Sequence, residues 1–187
     1  VLRTMMYIDE GWLSAAQRRY SPNFGARPNL TLIDLVVVHN ISLPAGEFGN
    51  PYIEDLFCNR LNCDLHPSFA DLENLRVSSH LLIRRTGAIT QFVSFLDRAW
   101  HAGVSHFRGR DNCNDFSIGI ELEGTDHLPY TDSQYLVLQS VLLALIKEYE
   151  INTEAVVGHS DIAPERKTDP GPAFDWVRVR NSITGRH

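Results

Sequence analysis

The sequence predicts a mixed α/β fold of the α+β kind, one domain over residues 1–187 in which a central mixed β-sheet is flanked by helices. Three observations predict it. Short apolar, β-branched runs typical of strands share the chain with one long segment of helical periodicity. Strands and helices are interleaved without the strict alternation of a βαβ chain. Finally, 187 residues with 43% hydrophobic and 21% charged side chains are the length and balance of a single globular domain.

Taken in order, Asp9, Glu10 and Gly11 open a segment in which Trp12, Leu13 and Ala16 recur at helical spacing, predicting a short helix that ends before Ser21-Pro22. Leu35, Val36, Val37 and Val38 form a continuous apolar run, the pattern of a buried strand, with His39 and Asn40 at its end. Pro44, Gly46, Gly49 and Pro51 mark a loop, and residues 52–57 and 67–75 each predict a short helix. Residues 80–84 and 88–93 read as two strands joined across Thr86-Gly87, a hairpin spacing. After a loop carrying Trp100, His101 and Gly103, residues 116–123 alternate, with Ile118, Ile120 and Leu122 on one face. Thr131 followed by Gln134 is a capping box, and Tyr135, Leu138, Leu142, Leu145, Ile146 and Tyr149 then repeat at helical spacing. Ala155-Val156-Val157-Gly158 reads as a short strand that delivers His159. Residues 163–172 hold Pro164, Pro170, Gly171 and Pro172 and so form a loop, and a last helix is predicted over 173–180.

The net charge of -6, from 17 basic and 23 acidic residues, supplies no basic field for nucleic acid. No apolar run reaches the ~18 residues of a membrane span, and the first ten residues turn acidic without a charged-then-apolar leader. No membrane partner is therefore expected, the expected location is the cytoplasm, and the expected state is a monomer. The three cysteines, Cys58, Cys63 and Cys113, cannot all pair within the chain and are expected as thiols.

Two histidines, His39 and His159, each follow an apolar strand, where a rigid scaffold presents a side chain to a cleft. With one carboxylate they would make a three-ligand zinc site with a position open for water. Asp161 and Asp169 both lie close enough beyond His159 to supply it, and spacing does not choose between them. Glu121 and Glu123 sit two apart on an alternating strand and so share a face. They suit a solvated sheet face, a glycosidase-like acid/base pair, or one general base beside a metal. Lys167 in a cleft would stabilise an oxyanion. Cys58, Cys63 and His66 form a rival metal spacing that lacks a fourth ligand, and no G-x-S-x-G elbow supports a serine hydrolase.

Six collinear segments add a resemblance: Val36-Val37-Val38-His39-Asn40, Ser79-His80-Leu81-Leu82-Ile83, Arg98-Ala99-Trp100-His101-Ala102-Gly103, the run from Asn114 to Gly124, Gly158-His159-Ser160-Asp161-Ile162-Ala163-Pro164, and Arg166-Lys167-Thr168-Asp169-Pro170-Gly171. Together they resemble the zinc-dependent N-acetylmuramoyl-L-alanine amidases, which share a fold with the peptidoglycan-recognition proteins. Within that family they are most similar to the branch that works on 1,6-anhydro-muropeptides in cytoplasmic cell-wall recycling. The resemblance covers nearly the whole chain. It implies that His39, His159 and Asp169 are zinc ligands, Glu121 the catalytic glutamate and Lys167 the basic residue beside the scissile carbonyl. It also implies substrate contacts from Asn40, Arg76, Trp100, His101 and Arg166, and an indirect link to β-lactamase induction. The resemblance departs at Asn112, where related sequences carry arginine. A non-catalytic muropeptide-binding module and a muramidase using Glu121 and Glu123 are the alternatives from other function classes.

Overall fold

A computed structural model describes residues 6–29 and 31–185. Its centre is a six-stranded sheet built from β1 (Gln17–Arg18), β2 (Leu35–Ile41), β3 (Leu81–Ile83), β4 (Ile89–Gln91), β5 (Ser117–Glu123) and β6 (Val156–Gly158), in the spatial order β6-β2-β5-β3-β4-β1. The pairs β6/β2, β2/β5 and β5/β3 are parallel, and β3/β4 is the antiparallel hairpin expected across Thr86-Gly87. Around it lie helices α1 (Tyr52–Phe57), α2 (Asp132–Tyr149), α3 (His159–Ile162) and α4 (Trp176–Thr184), with three two-stranded sheets and short 3₁₀ turns in the remaining described residues. None of the described helices is long and apolar enough to cross a membrane.

The continuous apolar character of β2 has a direct cause: as a central parallel strand it is covered on both faces, and Leu35, Val36, Val37 and Val38 are all fully buried. Val36, Val38, Ile118, Ile120 and Leu122 join Leu138, Val141, Leu142 and Leu145 of α2 in one core cluster. The predicted capping box starts α2, with the Gln134 N–H donating to Thr131 Oγ1 at 3.1 Å and the Thr131 N–H to Gln134 Oε1 at 3.1 Å. The Gln134 amide also donates to the carbonyls of Ile83 and Glu123, fastening α2 to the ends of β3 and β5.

Several expectations are corrected. Residues 8–13 are a hairpin rather than a helix, Ile8–Asp9 pairing with Trp12–Leu13. Glu10 and Gly11 both take positive φ (48° and 81°), the two-residue turn that suits a hairpin. The segment expected as a helix over 67–75 is a 3₁₀ turn at Pro67–Leu72, and the last helix begins later than expected, at Trp176, where Asp175 accepts from the Arg178 N–H. The second face of β5 is not solvated: Ser117, Glu121 and Glu123 are buried beneath covering loops.

Glu123 owes its burial to Arg84. The guanidinium donates to Glu123 Oε1 at 2.7 Å, to Glu54 and to the carbonyl of Asn50, while the N–H groups of Gly49 and Arg85 donate to the two Glu123 oxygens. Burial weakens the Arg84 charge, but the hydrogen bonds it donates to Glu54 and Glu123 outweigh that effect and raise its pKa. Both Glu123 oxygens are thus committed to structure, which removes the glycosidase-like pair.

Two outcomes follow for stability. Arg84→Met leaves Glu54 and Glu123 as buried, unpaired carboxylates and is expected to cost about 3–5 kcal/mol in urea unfolding. His80 is fully buried, its Nδ1 accepting from the Gly119 N–H and its Nε2 donating to the Asp97 carbonyl, and burial with the nearby Arg27 charge lowers its pKa to about 3. Below its unfolded value of 6.5 the unfolded chain takes up a proton that the fold refuses. The His80 share of stability is therefore intact above that pH and falls by about 1.4 kcal/mol per pH unit as pH drops towards 3. Urea unfolding of His80→Asn at pH 7, 6 and 5 should show a lower starting stability and an acid slope shallower by that amount.

Candidate active site

Three neighbouring strands end at one edge of the sheet, and their register lines up the functional side chains. Glu121 of β5 pairs with His39 of β2, and Gly158, the last residue of β6, pairs with Val38, so His159 follows beside His39. Paired residues of parallel strands project to the same face. The carboxyl ends of such strands are where open α/β sheets place ligands. The fourth group, Asp169, comes from the loop after α3, anchored by the Ser160 N–H donating to the Asp169 carbonyl at 3.0 Å.

His39 Nδ1, His159 Nδ1 and Asp169 Oδ2 form a triangle with sides of 3.0, 3.2 and 3.2 Å. Among the described residues this is the one group of three His, Cys, Asp or Glu side chains that converges on a point. Cys58, Cys63 and His66 do not converge, and His66 instead bonds Ser68. Asp161 is likewise excluded from the cluster, since its Oδ2 accepts from the Gly158 N–H at 2.7 Å at the start of α3.

The donor chemistry suits a divalent ion. Burial lowers His39 to about 4 despite the Asp169 hydrogen bond, so its ring is neutral near pH 7. Burial raises Asp169, but the His159 and His39 hydrogen bonds outweigh it, keep its pKa low and hold the carboxylate ionised. The ligand atoms of a tetrahedral site with ~2.0–2.2 Å bonds lie ~3.3–3.6 Å apart, close to the observed sides. Two imidazoles and one carboxylate could therefore hold a metal at this point.

Glu121 faces the same space. It is buried, and its Oε2 has no hydrogen-bond partner. Burial first, and the adjacent Asp169 charge second, push its pKa well up, with Lys167 opposing. An unpartnered buried carboxyl is a costly feature for the fold alone.

These groups line a cleft of about 500 Å³ together with Lys167, Asn40, Trp100, His101 and Arg166. The structure thus brings together every predicted site residue but Arg76, an exposed residue whose Nη1 donates to the carbonyls of Glu73 and Leu75. Asn40 donates to Asp126 Oδ1, Tyr130 Oη and the Pro170 carbonyl, and Arg166 Nη2 donates to the carbonyls of Ala102 and Val104. The far wall is apolar, formed by Leu43, Leu56, Phe57, Leu72, Leu75 and Val77. That wall, Asp126 and Thr168 escaped the sequence reading, because no motif or spacing ties residues 43–77 to the histidines. Asn112, the departure noted above, has φ of 57° and starts the 3₁₀ turn Cys113–Asp115, a backbone setting that favours asparagine.

Comparison with known proteins extends this picture. Residues 29–172 match the family described as N-acetylmuramoyl-L-alanine amidase. The chain is 57% identical over 179 residues to the 1,6-anhydro-N-acetylmuramyl-L-alanine amidase AmpD of Citrobacter freundii, covering 96% of each protein. It superposes on a crystal structure of a selenomethionine AmpD derivative with a TM-score of 0.93 at 57% identity, over 95% of this chain and 99% of that one. It is also similar, with a TM-score of 0.59 at 31% identity over 96% of this chain and 66% of that one, to the Escherichia coli amidase AmiD in complex with anhydro-N-acetylmuramic acid-L-Ala-D-γ-Glu-L-Lys. With a matching region that contains all four strand-end and loop residues of the site, this chain belongs to the N-acetylmuramoyl-L-alanine amidase family.

Proposed function

We propose that the protein is a zinc-dependent hydrolase that cleaves the amide between the lactyl group of 1,6-anhydro-N-acetylmuramic acid and L-alanine in muropeptides, serving peptidoglycan recycling in the cytoplasm. The observation that carries this reading is the convergence of His39, His159 and Asp169 beside a buried, unpartnered Glu121. The identity to AmpD along nearly the whole chain supports the choice of substrate. One chain supplies every group of the site, so a monomer is the proposed active species, and its substrate is a soluble, already excised fragment.

His39, His159 and Asp169 would hold the zinc through Nδ1, Nδ1 and Oδ2. When bound, zinc lowers the pKa of water towards ~7 and polarises a carbonyl. Glu121 takes a proton from the water as its oxygen attacks the lactyl carbonyl carbon, and a raised pKa suits a carboxylate that must take up that proton and hold it until the leaving nitrogen accepts it. The Lys167 ammonium stabilises the tetrahedral oxyanion. When the C–N bond breaks, Glu121 returns the proton to the L-alanine nitrogen, leaving a free peptide amine and the muramic carboxylate. Trp100 offers its ring to the sugar face, and Arg166, with Nε and Nη1 left over from its backbone contacts, pairs with a peptide carboxylate.

Mass spectrometry of 1,6-anhydro-N-acetylmuramoyl-tripeptide incubated with the zinc-loaded protein is expected to show free tripeptide and anhydro-muramic acid. Chelation should abolish the products and added zinc should restore them. Intact substrate bound without turnover would favour a binding module, and release of a reducing sugar would indicate a glycosidase. In the same assay Lys167→Ala should lose about 10²–10³-fold in kcat with zinc still bound, as for removal of one oxyanion donor. Unchanged turnover would remove Lys167 from the mechanism.

A further inference from the structure

Each histidine of the cluster has a second ring nitrogen, and both of these point to adjacent residues of one loop. His159 Nε2 lies 3.2 Å from the Ala102 carbonyl, and His39 Nε2 lies 2.8 Å from His101 Nδ1. A ring nitrogen that lends its lone pair to a metal carries no proton, so a neutral ligand using Nδ1 must hold its proton on Nε2. The Ala102 carbonyl can only accept and therefore fixes His159 in that form. His101 Nδ1 accepts from His39 only if the His101 proton sits on its own Nε2, and that atom lies 3.0 Å from Ser117 Oγ, a fully buried hydroxyl able to accept from it.

The loop is held for this task. Asn114 Oδ1 accepts from the N–H groups of both His101 and Ala102, at 3.1 and 2.8 Å. The His101 ring lies against Gly119 of β5, where a Cβ would come within 2.5 Å of it. With both nitrogens occupied, His101 has no polar ring atom to offer a ligand in the cleft.

We propose that His101, oriented by Ser117, is a positioning residue that selects the metal-binding tautomer of His39, while the neighbouring Ala102 carbonyl does the same for His159. This departs from the substrate contact expected for His101, and it rests on the zinc reading above.

The test is zinc affinity of the full chain, measured by competition with a chromogenic chelator, alongside ¹⁵N NMR of the histidine rings. His101→Ala should weaken zinc binding about 10–100-fold, the usual cost of losing an outer partner of a ligating histidine. His101→Gln, whose Oε1 can accept from His39 and whose amide can donate to Ser117, should recover most of that loss. Ser117→Ala removes one hydroxyl and should weaken binding roughly 5-fold, the worth of one hydrogen bond. In the zinc-loaded wild type the His39 ring should carry its proton on Nε2. Wild-type affinity in folded His101→Ala overturns the inference, and if that variant does not fold, unchanged affinity in Ser117→Ala does so. A wild-type protein that binds no zinc removes the zinc reading and this inference with it.

Discussion

Parallel pairing of β6, β2 and β5 leaves three carboxyl ends at one edge of the sheet, and the pairs Glu121 with His39 and Gly158 with Val38 set His159, His39 and Glu121 abreast. A slip of one residue in either pair would turn one of these side chains to the opposite face. What prevents a slip is the apolar set on that opposite face. Val36, Val38, Ile118, Ile120 and Leu122 can reach the core with α2 only in the observed register. The polar row is thus positioned by apolar packing behind it, so the geometry of the site depends on the core.

Burial of a polar row has a consequence that runs through the molecule. Every group on the second face of β5 needs a partner or a reason to lack one. Glu123 is neutralised by Arg84, Ser117 meets His101, and Gly119 has no side chain because the His101 ring occupies the space. Only Glu121 is left with an unpartnered buried oxygen, and it is also the residue that faces the His39, His159 and Asp169 cluster. One strand therefore carries, two residues apart, a carboxylate paired with Arg84 and one left unpartnered beside the cluster.

That division was only half legible in the sequence. The apolar run before His39, the strand before His159 and the capping box of α2 all carry their structures locally, and each forms where its pattern indicates. Alternation placed Glu121 and Glu123 on one face, but nothing nearby shows that Arg84, distant in sequence, takes Glu123 out of play. The Glu10-Gly11 turn misled for the opposite reason: Trp12, Leu13 and Ala16 mimic helical spacing, while two consecutive positive φ angles reverse the chain. The choice of Asp169 over Asp161 came from resemblance alone. Its physical ground is that Asp161 is spent on the Gly158 N–H, a contact that needs the start of α3 to be in place.

Asp169 is the one member of the cluster that no strand positions, and the structure compensates with contacts on both sides of it. Thr168 donates to Asp126 Oδ2 at 2.5 Å, and the Pro170 carbonyl accepts from Tyr130 Oη at 2.7 Å and from Asn40 at 3.2 Å. Asn40 also donates to Asp126 Oδ1 and to Tyr130, so the residues flanking Asp169 are fastened to one another through the strand that carries His39. Asp126 lies just beyond β5 and Asn40 directly follows His39 in β2, so this clamp ties the loop to the same two strands that set the register. A loop ligand held from both sides costs little ordering when a charge binds, because its backbone is already fixed. Lys167, next to Thr168 in the same loop, is placed by the same contacts, so one clamp serves both the carboxylate that would hold a metal and the ammonium that would meet the oxyanion.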